Sequence, residues 1–375
     1  VTLTEASATT KKAVVIFGIV AVVYYIFLLL FFPGAKALFK AIFPEKDPPN
    51  PVFGMLPPLE FTEKSTKGDF NPSFKLDTNN GKLPVDLPEK MTVYEVKKTV
   101  PSFEKGKDAI STAAALGYTD DDLVTSLKEP VYKWRKLLSN GILEIDTDNR
   151  HISMSTVLRG KSEYFPRGEL TKQSAINYAR DIFKTIGRFE DPLYKDGTQT
   201  AVLGQFTGAQ PVETQTEADA QIAKVDFYRS INEFPILGPD PKVGMLYTVL
   251  RKPQKETIYY NFPVMESWYW EISPQSDASY QIINVADAWN FVKQNKGVVV
   301  SIVPENSSPF ESYTPVLVEE VFINNIYLAY YDNYYYQPYL QPIYVFEGTY
   351  TTIGTQGGTI TFYYPAISPE YIKAN

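Results

Sequence analysis

Twenty consecutive residues without a charge or a proline, Ala13 to Phe32 (AVVIFGIVAVVYYIFLLLFF), constrain this chain more than any other feature. At 1.5 Å rise per residue, a helix of that length spans roughly 30 Å, the hydrocarbon core of a bilayer. Lys11 and Lys12 abut its start, and Pro33-Gly34 break the pattern at its end. The run is too long for the apolar part of a cleaved leader and reads as an uncleaved, single-pass anchor. Lysines flank it on both sides (Lys11 and Lys12 before, Lys36, Lys40 and Lys46 after), so the charge count barely orients it. The two lysines directly before the run favour a cytoplasmic N-terminus, which leaves the remainder of the chain extracytoplasmic. Tyr24 and Tyr25 lie near mid-span, where a hydroxyl gains from bonding a neighbouring helix. They are the candidate in-membrane contacts, set against simple tolerance on a lipid face.

Beyond the anchor the texture changes twice. Residues 33–43 (PGAKALFKAIF) can place Leu38, Ala41 and Ile42 on one helical face along the membrane surface; a plain spacer is the alternative. Residues 44–90 carry clustered prolines and read as a semi-rigid linker that holds a body off the membrane. Phe53, Met55, Leu56, Leu59 and Phe61 within it are able to dock on a surface. From residue 91 the pattern is globular. An Ala-rich helix is expected over 106–118, one with Thr171 as N-cap over 170–187, and one over 283–297. Each precedes runs of alternating or aliphatic strand-like residues. The expected organisation is therefore a tail (1–12), a transmembrane helix (13–32), a juxtamembrane segment (33–43), a linker (44–90) and three helix-plus-strands modules (91–165, 166–280, 281–375). The fold class is α+β, with helices packed on antiparallel sheets.

Composition removes several chemistries. There is no Cys and one His, His151, so thiol nucleophiles, disulfides, Cys-ligated metals and His clusters are excluded. Thirty-six basic against 43 acidic residues give a net charge of -7, which argues against non-specific nucleic-acid binding. Phosphate-binding glycine loops and the G-x-S-x-G elbow are absent. Asp77-Thr-Asn79-Asn-Gly81 begins like a calcium loop, but its glycine arrives early and the closing glutamate is missing. Asp146-Thr-Asp148 breaks at Arg150, and Asp120–Asp122 are better read as helix capping. No metal or cofactor is expected, and His151, in a predicted hairpin, reads as structural.

The C-terminal third carries a resemblance. VADAW (285–289), VEEVFINNIYLAYY (318–331) and LQPIYVFEG (340–348) resemble the YycH/YycI-type, PepSY-like extracytoplasmic regulatory proteins of bacteria. The resemblance implies one N-terminal anchor, external α+β modules and a non-enzymatic role in binding other membrane proteins. The proline-rich linker and the tyrosine-rich run depart from that pattern.

Nine tyrosines fall between Tyr327 and Tyr350. Tyrosine suits both sheet pairing and contact surfaces, so both roles stay open. The continuity of Tyr334, Tyr335 and Tyr336 beside Asp332-Asn333 requires that some rings be exposed. The candidate partner-binding residues are Tyr334, Tyr335, Tyr336 and Tyr339, with Trp268 and Trp270 placed on one face of a strand. The expected function is an accessory, scaffold or regulatory subunit of a membrane or envelope assembly, with lipid and other membrane proteins as partners and self-association possible in principle. One alternative is a wall-glycan or peptide binding module using the same rings. Another is an extracytoplasmic hydrolase built on two carboxylates.

Overall fold

The computed structural model describes residues 14–24, 48–100, 102–125, 130–137, 140–156, 165–168, 170–208, 210–253, 258–353 and 355–374. The chain divides into two units, residues 1–49 and 50–375. In the first, residues 14–24 are helical and their valines, isoleucines and Phe17 are all exposed, as is Tyr24. Among the described residues no helix is long and apolar enough to cross a membrane. Tyr25, the rest of the apolar run and the juxtamembrane segment 33–43 lie outside the described residues.

The second unit is a mixed α+β body made mostly of sheet. An eight-stranded antiparallel sheet runs Val131–Lys136, Gly141–Asp146, Ile152–Ser155, Val264–Ser267, Leu246–Leu250, Ile222–Phe227, Gln199–Thr207, Gln210–Glu213. A nine-stranded sheet has as its spine Arg229–Ile231, Phe234–Leu237, Glu320–Tyr331, Tyr339–Thr352, Thr355–Pro365 and Val298–Pro304. Two of its pairings are parallel, Ser73–Leu76 and Phe234–Leu237, each against Glu320–Tyr331. The expectation of purely antiparallel sheets is corrected there.

Local sequence explains the helices. Thr171 accepts from the Ser174 amide while Ser174 reaches back to Thr171, so the cap closes both ways before Lys172–Thr185. Ala175, Ala179, Ile182 and Phe183 then recur at helical spacing and are buried. They share a core with Ala109 and Ala113 of the helix Phe103–Ala115 and with Val225, Leu246, Met265 and Met154 of the eight-stranded sheet. The helix Val285–Lys293, capped by Asn284, buries Ala288, Trp289 and Val292 against the nine-stranded sheet.

Three expectations are corrected. Residues 50–90 are not a spacer: Leu56 is fully buried and pairs with the C-terminal segment (its amide to Tyr371 O at 2.7 Å, its carbonyl from the Lys373 amide at 2.8 Å). The physical reason is that prolines withhold N–H groups but not carbonyls. Tyrosine and glutamine side chains supply donors to this segment, from Tyr331 to Glu60 O, Gln341 to Pro57 O and Tyr280 to Gly54 O. The boundary expected at 165/166 does not divide the sheet, because Ile152–Ser155 pairs with Val264–Ser267 instead of ending as an exposed edge. The apolar-rich segment 257–265 (TIYYNFPVM), which its composition predicts as a strand, contains a helical turn, Ile258–Asn261, before the strand Val264–Ser267.

Asp120–Asp122 form a 3₁₀ turn themselves, with Thr119 as the cap and Asp122 bonded back to it and to Lys136. Burial opposes the charge of Asp122, but the hydrogen bonds from Lys136 and Thr119 outweigh it and hold the carboxyl below the usual aspartate range. A depressed folded value contributes stability that is full above the unfolded value and lost as pH falls through the folded one. An NMR titration of Asp122 should give a midpoint below about 3.9, with Thr119 amide protection lost over the same interval. A midpoint at or above that value would remove the claim.

Candidate functional site

The long strands Glu320–Tyr331 and Tyr339–Thr352 are joined by residues 332–338, and this connection is where the tyrosine run leaves the sheet. Within the strands, Tyr330, Tyr331, Tyr344 and Tyr350 are fully buried. Tyr330 donates to Thr92 O, Tyr331 to Glu60 O and Tyr344 to Ile283 O, bonds to backbone carbonyls that phenylalanine could not make. At the tip, Tyr335 is 77% exposed and Tyr336 37%. Tyr336 lies edge-on to Trp270 and donates to Val96 O. Tyr339 is half-buried and stacks on Phe53 at 4.6 Å.

Trp270, expected as a contact ring, is instead 3% exposed, and its indole N–H donates to Asn333 O at 2.8 Å. The reason is that residues 268–270 are not a strand. They cross from Val264–Ser267 of one sheet to Glu271–Ile272 of the other, so two-residue alternation does not govern them. Trp268 and Trp270 accordingly part company. Trp268 stacks on His151 (3.5 Å between centroids, 12° between planes) and packs on Tyr334 at 4.6 Å.

Tyr334, Trp268 and His151 line a cleft of about 470 Å³ between the sheets, with Lys64, Asp240 and Glu266 among its polar walls. The structure thus brings Trp268 and Tyr334 together and leaves Tyr335 and Tyr336 outside this cleft. Sequence reasoning missed Glu266, Asp240 and Lys64, which carry no local motif: Glu266 is placed by the register of its strand, whereas Lys64 and Asp240 come from irregular segments far apart in the chain. Burial, then Asp240 and Glu266, push the Tyr334 hydroxyl up to about 12, so it remains a proton donor at neutral pH.

The polar chemistry of the cleft is closed on itself. Glu266 accepts from His151 Nε2 at 2.7 Å and from Ser153 Oγ at 2.6 Å. Both donors face the same carboxylate, so His151 is not bonded to Ser153 as a base would be to its nucleophile. Asp240 is paired with Lys64 at 3.1 Å. Each acid is engaged by protein donors, an arrangement suited to fixing the walls rather than to exchanging protons. Trp268 is likewise engaged by two rings, whereas a sugar-stacking platform needs a free face. Among the described residues no three acids or histidines gather as a metal-binding set, and Thr78 and Asn80 bond within the 77–82 turn itself.

No family model matches the chain, and no curated protein matches it. Among solved structures it is similar to an uncharacterized protein from Eubacterium rectale, at 10% identity over 82% of this chain and 92% of that one, with a TM-score of 0.43.

Proposed function

We propose that the protein is a non-enzymatic, membrane-anchored accessory, scaffold or regulatory subunit of a bacterial envelope assembly. Its body lies outside the cytoplasm and binds a partner protein through the tyrosine tip. The observation that carries this reading is Tyr335, a large ring 77% exposed on a short connection held between the two longest strands, in a run whose other members, Tyr336 apart, are buried or half-buried. Tyrosine offers a large contact area at low entropy cost, and a ring held out by rigid strands loses little freedom on binding. The apolar helix at 14–24, with its side chains exposed, supports the anchor, because lipid is the solvent in which such a surface is at ease. Tyr24 and Tyr25 serve contacts within the membrane.

The test is purification of the full chain from its native membrane in mild detergent, followed by mass spectrometry of what accompanies it. Stoichiometric partners are expected. Tyr335→Ala should weaken their retention about thirtyfold or more, the scale of an aromatic hot spot, while changing stability by no more than about 0.5 kcal/mol. A clean monomer, or partners retained equally by Tyr335→Ala, overturns the reading.

A further inference from the structure

Arg188 follows the helix Lys172–Thr185 after the turn at Gly187 and is 5% exposed. Its Nε donates to Ser267 Oγ and its Nη2 to Arg150 O, each at 2.6 Å, and its guanidinium lies over the Tyr269 ring at 5.0 Å. Among the described residues no carboxylate pairs with it, and Nη1 has no protein acceptor. That is unusual: removing a charge from water costs several kcal/mol unless an opposite charge compensates. The nearby fully buried Arg229 shows the ordinary solution, with Asp191 and Asp332 both bonded to it.

Arg188 lines a cleft of about 790 Å³, separate from the aromatic cleft. The side chain of Arg150 adds a second guanidinium there, lying over the same Tyr269 ring at 4.5 Å. Lys105 of the helix Phe103–Ala115 lines the cleft as well. Of the acids on its walls, Glu271 is taken by Lys97 at 2.6 Å and more distantly by Arg150 at 3.9 Å. Asp108, Asp146 and Glu190 form no ion pair with Arg188. Burial, then Arg150, lower Arg188 to about 10, which still leaves it charged at neutral pH. Burial, then Arg150, lower Lys105 as well. Desolvated positive charge facing an open volume is what an incoming oxyanion completes, with charge-assisted hydrogen bonds stronger than neutral ones.

We propose that this cleft is a binding site for an oxyanion, a carboxylate or phosphate group of a small ligand, received by Arg188 with Arg150 and Lys105. The site is independent of the tyrosine tip and uses none of its rings.

The experiment titrates the full chain in detergent with inorganic phosphate and, separately, citrate, by calorimetry and thermal shift, against sodium chloride at matched ionic strength. Saturable binding of either probe above the salt control is expected, and the tighter probe identifies the class of anion. Arg188→Ala would leave Ser267 and Arg150 O without their donor and can fail to fold, so two milder variants carry the test. Arg150 has a positive φ of 58°, a backbone state that asparagine accepts. Arg150→Asn therefore keeps the turn and the carbonyl while removing the charge, and Lys105→Met removes a charge from a helix surface. Each should weaken binding about tenfold with the fold intact. No binding beyond the salt control, or equal binding by both variants, overturns the site.

Discussion

Arg229→Met is expected to cost about 3–5 kcal/mol in urea unfolding, the range for breaking a buried ion pair from one side. Arg229 Nη1 donates to Asp191 at 3.1 Å and to Trp270 O at 2.8 Å, and its Nη2 bonds Asp332. Asp191 caps the turn Pro192–Tyr194, Asp332 ends the strand Glu320–Tyr331, and Trp270 lies in the crossing between sheets. One side chain thus ties three segments of different origin. The network is also imperfect, since Arg229 Nε and Asp332 Oδ1 have no hydrogen-bond partner. Burial already pushes the Asp332 carboxyl above the usual aspartate range while Arg229 pulls it down. In the variant that pull is gone, and the carboxyl rises further. The folded variant then binds a proton that the unfolded chain, with an ordinary aspartate near 3.9, does not. Its stability falls as pH rises, so the deficit should shrink between pH 7 and pH 5. Adding Asp332→Leu to Arg229→Met should recover part of the loss, because the stranded charge is what costs most. A single-variant loss under about 1 kcal/mol would show that the network is peripheral to stability.

Gly348→Ala should be among the most damaging one-atom changes in the body. Gly348 sits in the central strand Tyr339–Thr352, opposite the register shift between Ile323 and Asn325 of its neighbour. A Cβ there would fall 2.0 Å from Phe322 O and 2.9 Å from Ile323 Cα, both backbone atoms that cannot swing aside. Glycine at such a point marks a close approach of two backbones. Separating them pulls apart the longest pairing in the sheet. The expected outcome is a loss above about 3 kcal/mol or failure to accumulate soluble protein, beyond the usual range of point substitutions. Gly208→Ala is the control. Its φ of +65° is strained for alanine but nothing lies within 4 Å, so about 1–2 kcal/mol is expected. If the two variants were equally stable, steric closeness at the bulge would not be what selects glycine at 348.

What could be read from sequence was what local chemistry decides. Thr171 and the apolar spacing after it announced a helix whose structure is Lys172–Thr185. The turn at Asp146–Arg150 separates Gly141–Asp146 from Ile152–Ser155 as the alternation required. What could not be read depends on partners far along the chain. The prolines of 48–58 look the same in a free spacer as in a segment docked on residues more than 200 positions away. Trp270 was misplaced because alternation was extended across residues that leave one sheet for another. In the aromatic cleft, the rings Trp268 and Tyr334 were legible as residues of interest, but the Glu266–His151–Ser153 cluster was not. Those side chains are neighbours only because Ile152–Ser155 and Val264–Ser267 pair in one particular register. Arg188 was invisible for a related reason, since sequence shows a charge but not the absence of its counter-charge.

The docking of residues 50–76 also fixes an order of events during synthesis. This stretch leaves the ribosome before any other part of the body, yet its partners, Glu320–Ile323 and Tyr371–Lys373, are made last. Mid-chain residues offer it some contacts, Tyr280 to Gly54 O and Asp240 to Lys64, but its strand pairing and the bonds of Leu56 wait for those late segments. The nine-stranded sheet closes only when nearly the whole polypeptide is available, a long-range closure that slows folding and lengthens exposure of unpaired strands. The eight-stranded sheet, whose strands all lie between residues 131 and 267, has no such wait. Folding is therefore expected in two stages, an early half that assembles mid-chain and a late half sealed by the union of first-made and last-made residues.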